Sequence, residues 1–126
     1  KKLTVEYEGT EVRIITGEKW LLFVLEQVLS NGINHTNKGR IRLYIEDKTL
    51  IIEDTGIGIK EEDIPRIFEK GFTGYNGRSY KKATGIGLYL SKRICKKLSH
   101  NISVESKIGL GTRILIDLSY LPLEVE

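Results

Sequence analysis

Residues 51–59 place the tightest limits on how this chain can fold. They begin with an apolar run that is typical of a buried strand, and the run ends in the carboxylate of Asp54. Gly56 and Gly58 follow, and glycines permit a tight backbone turn where a side chain would obstruct a ligand. A strand, a carboxylate and a glycine turn in this order indicate a binding site, although plain turns share the pattern.

Length and composition limit the class of protein. The 126 residues suit a single domain over 1–126 and are enough to bury an ordinary hydrophobic core. The chain is 40% hydrophobic and 29% charged, which indicates a globular fold. No apolar run approaches the roughly 18 residues of a membrane helix. Cys95 is the single cysteine, which excludes an internal disulfide and predicts an inert, packed thiol.

The chain has no methionine and begins with two lysines, which predicts that it is a piece of a longer polypeptide. Its net charge of +3 is too small to indicate nucleic acid as a partner, and nothing in it is suited to direct membrane insertion. Lys70, Arg78, Lys81 and Lys82 nevertheless fall in one glycine-containing stretch without an acidic residue. A local basic loop of this kind is suited to phosphate groups.

The periodicity of apolar residues predicts the order of the elements. Strands are predicted over residues 3–8, 12–15, 41–45, 50–52, 102–106 and 112–118. Helices are predicted over residues 18–35, 61–68 and 85–98. This order predicts the α/β class, as a two-layer α/β sandwich with a mixed sheet and helices packed on one face. Residues 70–84 have three glycines and no periodicity, which predicts a mobile loop.

The long helix over residues 18–35 has a polar stripe in its second half. Gln27, Asn31, Asn34 and His35 recur at spacings of three and four residues, so they share one helical face. A stripe of this kind can line a site for a polar ligand. Asn31 considered alone is equally well explained as a core amide with satisfied hydrogen bonds.

Glycine pairs occur at three places, namely Gly56/Gly58, Gly85/Gly87 and Gly109/Gly111. None belongs to the phosphate-loop pattern Gly-x-x-x-x-Gly-Lys-Ser/Thr, and none has the third glycine of a dinucleotide fingerprint. Each pair taken alone is explained by a turn or a relaxed helix entry. Their order and spacing, together with the polar stripe and the basic loop, favour a site of another kind.

Four segments strongly resemble, in order, the N, G1, F and G2 boxes of the catalytic ATP-binding domain of bacterial sensor histidine kinases: residues 27–31, 54–58, 67–72 and 84–88. Residues 106–112 resemble the Gly-x-Gly-Thr segment that closes the adenine pocket in that family. The resemblance covers nearly the whole chain and is closest to kinases whose short sensors lie within the membrane. It implies a Bergerat-type fold, which gyrase, chaperone and mismatch-repair ATPases share.

The resemblance implies that the domain binds ATP with Mg²⁺, and it assigns roles around the base. Asp54 would accept a hydrogen bond from the adenine amino group, where guanine carries a carbonyl. Gly56 and Gly58 would let the backbone close around the base. Ile59 and Thr112 would line it.

The resemblance also assigns roles around the phosphates. The Asn31 amide oxygen would ligate Mg²⁺, a hard cation that prefers oxygen. Lys70 would approach the terminal phosphate, and residues 72–82 would form a lid over it. The helix whose free N–H groups face the phosphates would start with Gly85, Gly87 and Leu88. Asn31 and Lys70 are therefore the catalytic candidates.

The chain departs from the usual family pattern within the long helix. Gln27 stands where the family commonly has Asn, and Asn34 and His35 replace a cation followed by an aromatic residue. Gly32 replaces a common Ala, at a cost of about 0.5–1 kcal/mol inside a helix. We expect these changes to affect ATP affinity more than the fold, and we keep all three polar residues as candidate nucleotide contacts.

The leading hypothesis is the catalytic domain of a histidine autokinase. It would donate the γ-phosphate to a histidine on a helical dimerisation domain of the same protein, a cytoplasmic part of a membrane-anchored bacterial kinase that serves a response regulator. His35 and His100 lack the family's acceptor context, so the acceptor is expected outside this sequence. Two alternatives remain: a nucleotide-gated binding module without phosphotransfer, and an ATP-hydrolysing conformational clamp.

Overall fold

The computed structural model describes residues 2–7, 18–34, 36, 38–71 and 87–118. Its strands are β1 (Lys2–Tyr7), β2 (Lys38–Glu46), β3 (Thr49–Asp54), β4 (Asn101–Lys107) and β5 (Gly111–Asp117). Its helices are α1 (Glu18–Asn34), α2 (Gly87–Lys97) and the short 3₁₀ helix Ile64–Arg66. The strand predicted over 12–15 and the loop predicted over 72–82 lie outside the described residues. In the described part of the chain, neither α-helix is long and apolar enough to cross a membrane.

The five strands form one sheet in the order β1-β2-β3-β5-β4. β1 runs parallel to β2, and the other neighbouring pairs are antiparallel, so the predicted mixed sheet is confirmed. The hairpin between β2 and β3 turns at Asp47 and Lys48, whose φ angles are 50° and 64°. Two consecutive positive φ angles are what a two-residue hairpin turn requires, because they match the right-handed twist of the strands.

The main hydrophobic core of the described residues lies between the sheet and the two α-helices. α1 contributes Val24 and Val28 to it, α2 contributes Cys95, and the sheet contributes residues that include Ile52 and Ile116. Because these strand residues alternate with outward-facing ones, both helices pack on the same face of the sheet. This arrangement confirms the predicted two-layer α/β sandwich. Burial raises the pKa of the Cys95 thiol to about 11, which supports the prediction of an inert thiol.

The opposite face of the sheet has a row of alternating charges. Arg42 pairs in register with Glu53, Glu53 with Arg113, and Arg113 with Glu105. Ion pairs of 3.3 Å (Arg42–Glu53) and 3.2 Å (Arg113–Glu105) join neighbours in this row. Unlike charges therefore face each other across the β2–β3, β3–β5 and β5–β4 pairs, which is favourable for the pairing of these strands.

The helix predicted over residues 61–68 forms only in part, as the short 3₁₀ helix Ile64–Arg66. The backbone N–H groups of Asp63 and Arg66 donate to carbonyls three residues back, each at 2.8 Å, and the Ile64 N–H reaches the Lys60 carbonyl, four residues back, at 3.2 Å. Pro65 has no N–H with which to continue an α-helical ladder. The acidic residues and the proline suit a helix start, but the helix does not continue beyond one short turn.

α2 ends in a left-handed turn at Ser99, whose φ is 64°. The Ser99 N–H donates to the Lys96 carbonyl at 3.1 Å, and the His100 N–H donates to the Cys95 carbonyl at 2.8 Å. This pair of bonds is the Schellman ending of a helix. It directs the chain back towards β4 and leaves the His100 side chain only 5% exposed.

We expect the buried His100 to make stability depend on pH. Burial lowers the pKa of His100 below its ordinary value, while the Asp117 carboxylate acts in the opposite direction and only partly offsets this. The unfolded chain, with a histidine pKa of about 6.5, therefore binds the proton more readily than the fold does. The contribution of neutral His100 to the free energy of unfolding is fully present above about pH 6.5, the pKa in the unfolded chain, and it is lost as pH falls towards the pKa in the folded chain.

Urea unfolding between about pH 7.5 and about pH 5.5 at constant ionic strength measures this effect. The free energy of unfolding should fall over this range, and His100→Gln should flatten the profile. His35→Gln, which removes the other histidine, is the control. If the free energy of unfolding depends on pH equally in the parent chain and in the His100 variant, His100 is not the cause of the pH dependence.

Candidate functional site

Asp54 lies at the end of β3, directly opposite Thr112 on β5. Both residues are 7% exposed, and both lie on the helix-facing side of the sheet, two positions along their strands from core residues. The Gly56 N–H donates to Asp54 Oδ1 at 2.9 Å, which fixes the orientation of the carboxylate. The structure thus presents a buried acceptor at the position where the sequence predicted one.

Helix α1 approaches the same carboxylate at Gly32. A Cβ atom added at Gly32 would lie 3.6 Å from Asp54 Oδ2 and 3.7 Å from Ile41 Cδ1. These are ordinary van der Waals distances, so the alanine that is common in the family would fit. Packing therefore does not require a glycine at position 32. The close contacts of Gly32 do not explain why the helix carries a residue that lowers its stability.

One hydroxyl group connects the segment after Asp54 with the β4–β5 hairpin. Ser106 Oγ accepts a hydrogen bond from the Ile59 N–H at 2.8 Å and donates to the Gly111 carbonyl at 2.8 Å. It also lies 2.8 Å from Thr112 Oγ1. Ser106 is not among the site residues predicted from the sequence. The sequence feature that could have indicated a role for Ser106 is its position at the end of a predicted strand, just before the Gly-x-Gly-Thr segment.

Gly58 is required because another part of the chain approaches it closely. Its φ is 80°, and a Cβ atom there would overlap the backbone carbonyl oxygen of Lys107. The Gly109 N–H also donates to the Ile57 carbonyl at 2.9 Å, which joins the same two segments. Gly111 is similar, since its φ is 115° and a Cβ atom would overlap the Asp54 carbonyl oxygen. These glycines make room for backbone that forms the walls of the site.

The surroundings of Asp54 form one end of the site, and the other end lies where α1 meets α2. A Cβ atom added at Gly87, the first residue of α2, would lie 2.5 Å from Gln27 Oε1. Asn31 follows Gln27 by four residues on α1 and is half-buried. From Gln27 to Gly32 the helix rises about 7.5 Å at ~1.5 Å per residue. α1 therefore runs from the N-terminus of α2 to the Asp54 carboxylate, with Asn31 between them.

Lys70 lies near the first turn of α2. Its Nζ is 6.0 Å from the centroid of the Tyr89 ring, and the Arg93 Nη1 donates to the Tyr89 hydroxyl at 2.9 Å. The hydrogen bond from Arg93, and then its charge, lower the pKa of Tyr89. Lys92 Nζ lies 4.9 Å from the Phe68 ring centroid. The Lys70–Tyr89 and Lys92–Phe68 cation–π contacts therefore join residues 68–70 to α2. The predicted phosphate-facing cation is thus close to the helix start.

The predicted site residues differ in what they can offer a ligand. The side chains of Ile59 and Leu88 pack against the hydrophobic core, so their backbone groups are the better candidates for contact. His35, Gly85 and the side chain of Asn34 lie outside the described residues. Among the described residues, no group of three or more His, Cys, Asp or Glu side chains could hold a metal ion. A magnesium ion at Asn31 would therefore take most of its oxygen ligands from phosphates and water.

Two glycines with nearly equal φ test the close packing at Gly58. Gly58 has φ 80° and Gly71 has φ 79°, but a Cβ atom at Gly71 meets no atom of the described residues within 4 Å. Gly71→Ala should cost only the left-handed strain of about 1–2 kcal/mol. Gly58→Ala should cost at least ~2 kcal/mol more, because the backbone of the hairpin must move. Urea unfolding of both variants measures the difference, and equal losses would rule out the packing role.

Comparison with known proteins agrees with this geometry. Residues 16–124 match the family model described as histidine kinase-, DNA gyrase B- and HSP90-like ATPases. The sensor protein BceS of Halalkalibacterium halodurans is 41% identical over 112 residues, which cover 86% of this chain and 33% of that protein. Sensor histidine kinase YxdK of Bacillus subtilis is 39% identical over 108 residues, 81% of this chain and 33% of that protein.

A solved structure shows the same fold. The mycobacterial sensor histidine kinase MprB superposes with a TM-score of 0.73 at 27% identity, over 97% of this chain and 83% of that one. The chain spans about a third of the length of the two sensor proteins. These matches confirm the predicted family and fold. The chain belongs to the family of histidine kinase-, DNA gyrase B- and HSP90-like ATPases, and within it is similar to the sensor histidine kinases.

Proposed function

We propose that this domain binds Mg²⁺-ATP and donates the γ-phosphate to a histidine on a helical dimerisation domain of the same protein. A response regulator would then receive the phosphoryl group, and the domain would be the cytoplasmic part of a membrane-anchored kinase. The observation that carries the proposal is the buried Asp54 carboxylate, which lies opposite Thr112 and is oriented by the Gly56 N–H. Membership of the ATPase family supports a nucleotide as the ligand.

Asp54 would recognise the adenine base. An ionised carboxylate only accepts hydrogen bonds, so it matches the amino group of adenine and opposes the carbonyl of guanine. Oδ1 already accepts from Gly56, and Oδ2 lies near the helix side of the site at Gly32. The close contact of the Gly58 turn with Lys107 would hold the wall beside the base in place.

The N-terminus of α2 would face the phosphates. The first N–H groups of a helix have no partner within the helix and carry partial positive charge, so they attract anions. Gly87 and Leu88 supply this turn, and Lys70 lies beside it over the Tyr89 ring. Gly85 and the residues of the basic loop would complete the phosphate site.

Asn31 would hold the magnesium ion. Its amide oxygen is a hard ligand, and its place on α1 between Gln27 and Gly32 puts it between the phosphate end and the base end of the site. When bound, Mg²⁺ would neutralise phosphate charge. The contribution of the protein would be positioning, with the reacting phosphate held until a histidine approaches in line.

Gln27 favours a kinase over an ATP-hydrolysing clamp. In the hydrolysing relatives a glutamate stands one helical turn before the magnesium asparagine and activates a water molecule. An amide cannot accept a proton usefully, and the Gln27 side chain lies against Gly87. Glu26 is rotated by about 100° around the helix and is exposed to solvent, so it faces away from the site.

Asp54→Asn tests the recognition of adenine. We expect it to weaken ATP binding by about 1.5–3 kcal/mol, roughly 10- to 150-fold in Kd, because a charge-assisted hydrogen bond is disturbed. Titration with ATP and Mg²⁺ under native conditions measures the change. Glu53→Gln is a matched control, since the adjacent carboxylate lies on the opposite face of the sheet and pairs with Arg42. Unchanged affinity of the Asp54 variant would reject the role.

Phosphate release tests the distinction between kinase and clamp. With saturating Mg²⁺-ATP we expect this domain to turn over far more slowly than the ~1 s⁻¹ of an ordinary slow enzyme, because it has no general base at position 27. Gln27→Ala should leave the rate low. Turnover at or above that level, if it is abolished by Glu26→Gln, would favour the clamp.

Labelled γ-phosphate should appear stably on the full-length protein and not on residues 1–126 alone.

A further inference from the structure

The three hydrogen bonds of Ser106 determine where its proton lies. A serine hydroxyl has one proton and two lone pairs. The Gly111 carbonyl can only accept, so Ser106 donates its proton there, and one lone pair accepts from the Ile59 N–H. The contact with Thr112 Oγ1 at 2.8 Å must then use the second lone pair. Thr112 is therefore the donor in that bond.

The direction of this bond has a consequence for Thr112. A threonine hydroxyl also has a single proton, and here that proton is directed at Ser106. Thr112 Oγ1 can offer only lone pairs to anything else that approaches. Ser106 thus controls the hydrogen-bonding character of a neighbouring residue.

Thr112 and Asp54 form one surface. They are direct partners across β3 and β5, and such partners have Cβ atoms about 4.5–5.5 Å apart on the same face of a sheet. Both are 7% exposed. An ionised carboxylate and a hydroxyl without an available proton are both acceptors. The end of the β3–β5 pair therefore presents acceptors side by side, in a place where water is limited.

We propose that Ser106 is a positioning residue that sets the hydrogen-bond polarity of the base pocket and thereby selects a purine with an amino group at position 6. This inference rests on the proposed function, in which Asp54 faces the base. Ser106 does not touch the base and acts through Thr112. A purine with an oxo group at position 6 would place a third acceptor where the amino group of adenine would stand, against Asp54 and Thr112, and acceptors that face one another repel.

Removing the Ser106 hydroxyl releases the Thr112 proton. The Thr112 hydroxyl could then rotate and donate to an oxo group at position 6, so discrimination should fall. We expect the ratio of dissociation constants for inosine diphosphate and ADP to decrease about tenfold in Ser106→Ala, in line with the gain of one hydrogen bond. ADP affinity itself should change less than this ratio.

The test is titration of this chain with ADP and with inosine diphosphate, both with Mg²⁺. Each ratio is measured on one protein sample, so a partly unfolded fraction affects both constants equally. Ser103→Ala is the matched control, because Ser103 lies on the same strand but is exposed. Its ratio should equal that of the parent chain. Ser106→Cys, which fills the same space with a weakly hydrogen-bonding thiol, should also lower the ratio and serves if the alanine variant does not fold.

Variants of Thr112 show whether Ser106 acts through it. Thr112→Ser keeps the hydroxyl and should keep the parent ratio. In Thr112→Val the hydroxyl is absent, so adding Ser106→Ala should not change the ratio further. An equal loss of affinity for both ligands in the Ser106 variants would overturn the proposal and leave Ser106 a structural role only. If the parent chain binds neither ligand, the proposed function fails as well.

Discussion

The pairing of β3 with β5 is the interaction on which the rest of the site depends. Its register places Asp54 opposite Thr112, and the same pairing continues through Ile52 and Ile114 in the core. A shift of either strand by one residue would move its polar side chain to the solvent face, together with the apolar set of that strand. Burial of the core therefore fixes the position of the two groups expected to meet the base. Strand register sets their positions along the sheet, and the turn after β3 then orients the carboxylate through the Gly56 N–H.

Close contact between backbone segments explains two of the glycines at this end of the molecule. Gly58 and Gly111 have positive φ angles, and each lies against a backbone carbonyl from a distant part of the chain. Gly87 differs, because its neighbour is the end of the flexible Gln27 side chain. The first two glycines hold together the walls of the proposed base pocket, whereas Gly87 lets α1 and α2 approach each other at the proposed phosphate end.

Much of the fold could be predicted from the sequence, because apolar periodicity and turn residues act locally. The strands predicted over 41–45 and 50–52 pair as the β2–β3 hairpin, and Asp54 ends a buried strand. The segment over 61–68 misled the prediction, since a proline and acidic residues suit either a helix start or a tight turn. Ser106 could not be recognised, because its role depends on Ile59, a residue 47 positions away, and alternation along a strand does not reveal such contacts.

α1 connects the two ends of the site, and Gln27 shows why an amide suits its position. The side chain at position 27 lies against the first turn of α2, where the phosphates of a bound nucleotide are expected. A carboxylate there would repel the phosphates unless a water molecule or a proton lay between them. An amide of the same shape packs against Gly87 without that repulsion. The amide that replaces a general base would therefore also favour retention of the triphosphate, and both effects suit the proposed function, in which the domain holds ATP until its acceptor arrives.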